Sequence, residues 1–187
     1  MTTAPRPELP GEGTRTRRRA AMLRVDHAGE HGAVRIYEGQ LAVLGTRPAT
    51  ARSAALIRDM AEQEASHLKT FDELLTAEGV RPTLLAPVWH MAGFALGAAS
   101  ALMGERAAMA CTAAVESAID DHYAAQAAEL EAQDAPLKRT IERFRDDEIA
   151  HRETALKEGA EAAPAYPLLS AAIKAGCRLA IRLSERF

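Results

Sequence analysis

Little in this chain is aromatic, and less of it is thiol. Phe, Trp and Tyr make up 4% of 187 residues, and Cys111 and Cys177 are the two cysteines. Two thiols cannot build a disulfide framework or a cysteine-based metal site, and they fit a reducing compartment. Neither sign of charge dominates: the net charge of −3 excludes nucleic acid as a partner held by bulk electrostatics. The N-terminus lacks an apolar core, so it does not read as a secretory signal, and Glu8 and Glu12 argue against a transit peptide. No Gly-x-Gly-x-x-Gly fingerprint occurs, and the chain is too short for a separate flavin or nicotinamide domain. β-Branched runs are scarce, alanine is in excess and 48% of residues are hydrophobic. That balance points to one all-α domain with a sizeable core.

Helical periodicity organises the rest. Residues 1–17, rich in Pro, Gly, Thr and Arg, read as a disordered tail, and residues 18–187 as the folded domain. Arg15, Arg17, Arg18 and Arg19 read as a solvated approach to the first helix, with a lipid-headgroup contact as the other reading. Helices are expected over 18–44, 49–78, 105–133 and 136–158, and an amphipathic one at the C-terminus with Leu168, Leu169, Ile173, Leu179, Ala180 and Leu183 apolar. Gly29, Gly32 and Gly39 cost helix stability and would let another helix or a ligand approach closely. Residues 82–104 carry no formal charge. Their length permits a membrane span, yet Ala, Gly, Pro87 and His90 make them weakly hydrophobic. A buried core helix, an interfacial helix and the wall of a lipid channel all stay open.

What is present is a repeat. Glu148 and His151 stand three apart on a face that also carries Leu137, Ile141, Phe144 and Ala155. Glu64 and His67 repeat that spacing 84 residues earlier, since 148 − 64 = 84, on a face with Ile57, Met60, Phe71 and Leu74. A second echo accompanies it: Glu30 and Tyr37 match Glu116 and Tyr123, offset by 116 − 30 = 86. The chain is two half-sequences, each a lone-Glu helix followed by a Glu-x-x-His helix. This order matches a ferritin-like four-helix bundle that holds two metal ions between carboxylates. Helices one, two, four and five form the bundle; the uncharged third helix and the last are additions.

Four buried carboxylates repel one another, and two divalent cations cancel their charge. His67 and His151 then serve one metal each, Glu64 and Glu148 bridge, and Glu30 and Glu116 are terminal. Oxygen and imidazole ligands with open positions suit redox-active iron, with manganese and zinc as the other candidates. Tyr123 is the candidate catalytic side chain. It and Tyr37 share a face with the lone Glu of their own helix and can orient ligand carboxylates, or simply pack at the rim. Asp26 and Asp120, four positions from a ligand, are candidates to accept a proton from a metal-bound imidazole. His122 reads equally as a surface ion pair, and His31 and His90 as ordinary.

Six stretches then carry a resemblance: VDHAGEHGAVRIYEGQLAVLG, EQEASH, RPTLLAPVWHMAGFALGAASALMG, AMACTAAVE, FRDDEIAH and the C-terminal APAY…AGCRLAIRLSERF. Together they cover about residues 20–187 and resemble the demethoxyubiquinone hydroxylase family of ubiquinone biosynthesis. The resemblance implies six iron ligands at Glu30, Glu64, His67, Glu116, Glu148 and His151. It further implies hydroxylation of a polyprenylated methoxy-benzoquinone ring with dioxygen as co-substrate and electrons ultimately from NADH. A peripheral place on the membrane is implied too, on the cytoplasmic face in a bacterium or on the mitochondrial inner membrane. An auxiliary lipid-binding protein and a homo-oligomer stay open as partners. Two other readings stand beside it: a ferritin-like iron-oxidising storage protein, and a membrane-surface scaffold whose metals are structural.

Overall fold

The computed structural model describes residues 12–130 and 134–187. All regular structure among them is helical: α1 (Glu12–Leu44), α2 (Ala51–Glu78), α3 (Ala86–Leu102), α4 (Glu105–Glu129), α5 (Ala135–Lys157) and α6 (Tyr166–Arg186). Single 3-10 turns at Pro48–Thr50 and Ala160–Ala162 link them. Helix α1 begins at Glu12, six residues before the expected start; residues 1–11 of the expected tail, and 131–133 at the end of the fourth helix, lie outside the described residues. Prolines open the elements. Pro48, Pro87, Pro136 and Pro167 each occupy a first-turn position, where a missing N–H costs nothing. Gly79 ends α2 in the left-handed conformation, donating its N–H to Leu75 and Thr76.

Two hairpins, α1 with α2 and α4 with α5, make the four-helix bundle, and α6 lies against α4 and α1. Helix α4 is its spine. Its alanines, among them Ala107, Ala108, Ala110, Ala113, Ala114 and Ala118, are buried on several sides, so neighbouring helices approach closely. The uncharged helix α3 lies along α1. A Cβ at Gly39 would collide with the carbonyl of Phe94, and one at Gly97 with the carbonyl of Ile36. Being covered on two sides, α1 buries Ala33, Ile36 and Gln40 as well as its bundle face, while Val34 and Leu41 are half-buried.

The outer face of α3 is bare. Val88, Met91 and Leu102 are exposed, as are Leu84 just before the helix and Met103 just after. Trp89 turns inward, its indole N–H donating to Ser184 Oγ at 2.9 Å. On α6 the apolar face is narrower than expected: Ile173 is buried, but Leu168 and Leu179 face outward, because Ser170 and Ser184 take the inner positions. No described helix is long and apolar enough to cross a membrane. Two of the arginines entering α1 carry ion pairs. Arg18 binds Glu129 and Glu185, at the ends of α4 and α6, and Arg19 binds Glu78 and Asp134, at the ends of α2 and the start of α5. One dipeptide thus ties one end of α1 to four other helices.

Candidate metal centre

The buried side of α2 reads Ile57, Met60, Glu64, His67, Phe71 and Leu75, and that of α5 reads Leu137, Ile141, Phe144, Glu148, His151 and Ala155. Each places a carboxylate and an imidazole in an otherwise apolar stripe. Glu30 on α1 and Glu116 on α4 meet them, and all six side chains are buried. The six are brought together as two overlapping groups. Glu30, Glu64, His67 and Glu148 form one and Glu64, Glu116, Glu148 and His151 the other, with ligand atoms within 4.8 Å of one another. Glu64 and Glu148 belong to both. His67 Nδ1 lies 3.6 Å from Glu30, 3.8 Å from Glu64 and 3.5 Å from Glu148; His151 Nδ1 lies 3.0 Å from Glu64.

The inward atoms have no hydrogen-bond partners. Glu30 Oε2, Glu116 Oε2, both oxygens of Glu64 and of Glu148, and Nδ1 of each histidine are all orphaned. Each unpaired buried polar group costs about 1–3 kcal/mol, so this cluster makes sense only with a guest. The donor set fits two cations, one between Glu30 and His67, the other between Glu116 and His151, with Glu64 and Glu148 shared. Without cations the site must hold protons instead. Burial and then the charge of Glu30 raise Glu64 well above the usual carboxylate range; burial and then Glu148 do so for Glu116. Burial and the charge of Glu64 push Glu148 up to about 8. Burial opposes the imidazolium of His67, but the close carboxylates of Glu148, Glu30 and Glu64 outweigh it and push it up to about 12. His151 is lowered, chiefly by burial.

The outer nitrogens of the imidazoles are held too, which leaves Nδ1 free to ligate. His67 Nε2 lies 3.1 Å from Asp147 Oδ2, and His151 Nε2 lies 2.5 Å from Gln63 Oε1. Asp26 and Asp120 do not take this role. Asp26, buried, receives His122 Nε2 at 3.0 Å and Gln126 Nε2 at 2.8 Å, and Asp120 receives Arg145 and Arg152. Four-residue spacing put them on the right helix, but their side chains turn toward neighbouring helices rather than a ligand histidine. Gln63 and Asp147 were overlooked, although each directly precedes a ligand Glu and they stand at the repeat interval, 147 − 63 = 84. Both tyrosines touch glutamates of the cluster, and both reach across the bundle. Tyr37 donates to Glu116 Oε1 at 2.5 Å, and Tyr123 donates to Glu30 Oε1. His31 stacks between His27 and His90, ring centroids 6.4 and 5.5 Å apart, outside the cluster.

Fold and site together define an all-helical bundle with a buried carboxylate–imidazole cluster suited to two metal ions. More particularly, the chain belongs to the family described as Ubiquinone biosynthesis protein COQ7, which matches residues 17–184. It is 56% identical over 178 residues to the 3-demethoxyubiquinol 3-hydroxylase of Rhodospirillum rubrum, covering 95% of this chain and 82% of that protein. It is 52% identical over 170 residues to the mitochondrial NADPH-dependent 3-demethoxyubiquinone 3-hydroxylase of Rattus norvegicus, covering 89% of this chain and 76% of that protein. With the mitochondrial 5-demethoxyubiquinone hydroxylase of Saccharomyces cerevisiae it shares 40% identity over 180 residues, covering 88% of this chain and 76% of that protein.

Proposed function

We propose that this protein is a di-iron monooxygenase that hydroxylates the ring of a polyprenylated demethoxyubiquinone or its quinol. The observation that carries the reading is the buried cluster of four glutamates and two histidines with orphaned inward atoms, in a chain of this family. Two irons bound there would supply the means to reduce dioxygen and deliver one oxygen atom to a ring. The metals would be held by Glu30, Glu64, His67, Glu116, Glu148 and His151.

The chain's own residues do the rest. Tyr37 and Tyr123 hold the terminal carboxylates through one oxygen each, so the other oxygen points inward. Asp147 and Gln63 fix the imidazoles with Nδ1 toward the centre. The apolar walls from Ile57, Met60, Ile141 and Phe144 exclude water, which strengthens every electrostatic contact inside. Electrons come from an external donor, since no nucleotide fingerprint is present; the relatives' names support a reduced nicotinamide as their source.

A polyprenyl tail keeps the substrate in lipid, and the exposed apolar row of α3 supports a peripheral seat on a membrane surface. An open cleft of about 410 Å³ between α1 and α3, lined by His31, Ala86, Pro87, His90 and Met91, opens at that row. The reading is tested by incubating the iron-loaded protein with a short-chain demethoxyubiquinone, reductant and air. Mass spectrometry should find the hydroxylated ring, and Glu116→Ala should abolish it. Iron that is oxidised and stored with the quinone untouched would favour a ferritin-like role instead.

A further inference from the structure

The two halves of the chain exchange hydrogen bonds in matched pairs. Tyr37 bonds Glu116 while Tyr123 bonds Glu30; Gln40 bonds Thr112 while Gln126 bonds Asp26; His67 bonds Asp147 while His151 bonds Gln63. Every partner is the counterpart of the other at an offset of 86 or 84, as in 112 − 26 = 86 and 147 − 63 = 84. This pseudo-twofold relation breaks at two of the acceptors. Asp26 of the first half stands where the second has Thr112, and Asp147 of the second stands where the first has Gln63. Of the two carboxylates, Asp147 reaches the cluster, on the imidazole of His67, whereas Asp26 is held by His122 and Gln126.

We propose that the two metal positions are unequal, the one at Glu30 and His67 binding its cation more tightly than the one at Glu116 and His151. The inference rests on the dinuclear reading above. A carboxylate accepting the outer N–H of an imidazole draws that proton toward itself and makes the other nitrogen a stronger donor; a neutral amide does so less. Asp147 therefore strengthens His67 as a ligand, while Gln63 only orients His151. Asp26, committed to His122 and Gln126, and Asp120, committed to Arg145 and Arg152, leave the two imidazole partners as the difference between the positions. The Glu30 position is the anchor. The Glu116 position is left more electron-poor and more ready to exchange a ligand, as a site meeting an incoming oxidant or ring needs to be.

The test is anaerobic calorimetric titration of the metal-stripped full chain with ferrous ion, alongside Mössbauer spectra of samples given one equivalent of enriched iron. Wild type should take up iron in two steps of different affinity, and the first equivalent should give one dominant spectral species. His151→Ala should keep the tight step and His67→Ala the weak one. Asp147→Asn should weaken the tight step by about 10–100-fold and bring the two together. Gln63→Glu, which gives His151 the carboxylate partner that the weaker position lacks, should tighten the weak step. Equal steps in wild type, or Asp147→Asn lowering both steps alike with Gln63→Glu moving neither, would overturn the inequality while leaving the dinuclear site intact. A wild-type chain that bound no iron would remove the dinuclear reading and the inequality with it.

Discussion

The phenol of Tyr123, on α4, donates its hydrogen bond to Glu30 on α1 rather than to Glu116 on its own helix, which instead receives Tyr37. Each tyrosine thereby ties a cluster glutamate of one half to the helix of the other. Burial raises both phenols well above the usual range, and the nearby Glu116 and Glu30 charges raise them further. Tyr123→Phe should keep the fold but lose about 10–100-fold in iron affinity, the usual effect of removing a group that orients a ligand. Competition against a chromogenic chelator measures it; unchanged affinity would mean that Glu30 is oriented by packing alone.

In the metal-free protein the trapped protons set a stability signature. Glu148 at about 8 and His67 at about 12 both lie above their ordinary values. The stability each contributes is complete below its ordinary value and fades as pH rises through the folded one. Above about 6.5, the ordinary histidine value, the two act in the same direction. Denaturant unfolding of the stripped chain should therefore lose on the order of 2 kcal/mol or more between about pH 6.5 and 8.5. The iron-loaded protein, whose carboxylates are already deprotonated, should be flatter over that interval. Parallel curves for the two forms would contradict the proton count.

The six clustered side chains were legible as candidate ligands because two repeats, at intervals of 84 and 86, put carboxylates and imidazoles on stripes that are otherwise apolar. Residues of one helix face reveal what points inward, not which neighbouring helix they meet. That is why the tyrosines read as partners of Glu30 and Glu116 on their own helices when they bond across the bundle. For the same reason Asp26 and Asp120 stood out by helical spacing, while Asp147 and Gln63, one residue before Glu148 and Glu64, did not. The uncharged stretch left three environments open; one face of it, with Gly93 and Gly97, is buried against α1, while Val88 and Met91 face outward.

Close packing of α3 on α1 has a direct test. Gly97→Ala drives a methyl into the Ile36 carbonyl and should cost roughly 1–3 kcal/mol, as overpacking does. Gly176→Ala, in mid-α6 with nothing within 4 Å, should instead stabilise by about 0.5–1 kcal/mol. Chemical denaturation of both variants separates the two; equal effects would mean that α3 can slide off α1 freely.

Membrane attachment is tested on the outward row and not on Trp89, whose indole N–H is committed to Ser184. The full chain should float with liposomes, and Val88→Glu combined with Met91→Glu should remove most of that binding. Equal flotation of both would assign the attachment to another surface.

The most direct measurement follows the oxygen atom. The iron-loaded protein, a short-chain demethoxyubiquinone and an external reductant are supplied with isotopically labelled dioxygen in ordinary water, and the product ring is weighed by mass spectrometry. The account predicts one labelled oxygen per hydroxylated ring, lost when Glu148→Ala removes a carboxylate shared by both metal positions. Turnover of dioxygen with an unlabelled or unmodified ring would contradict it.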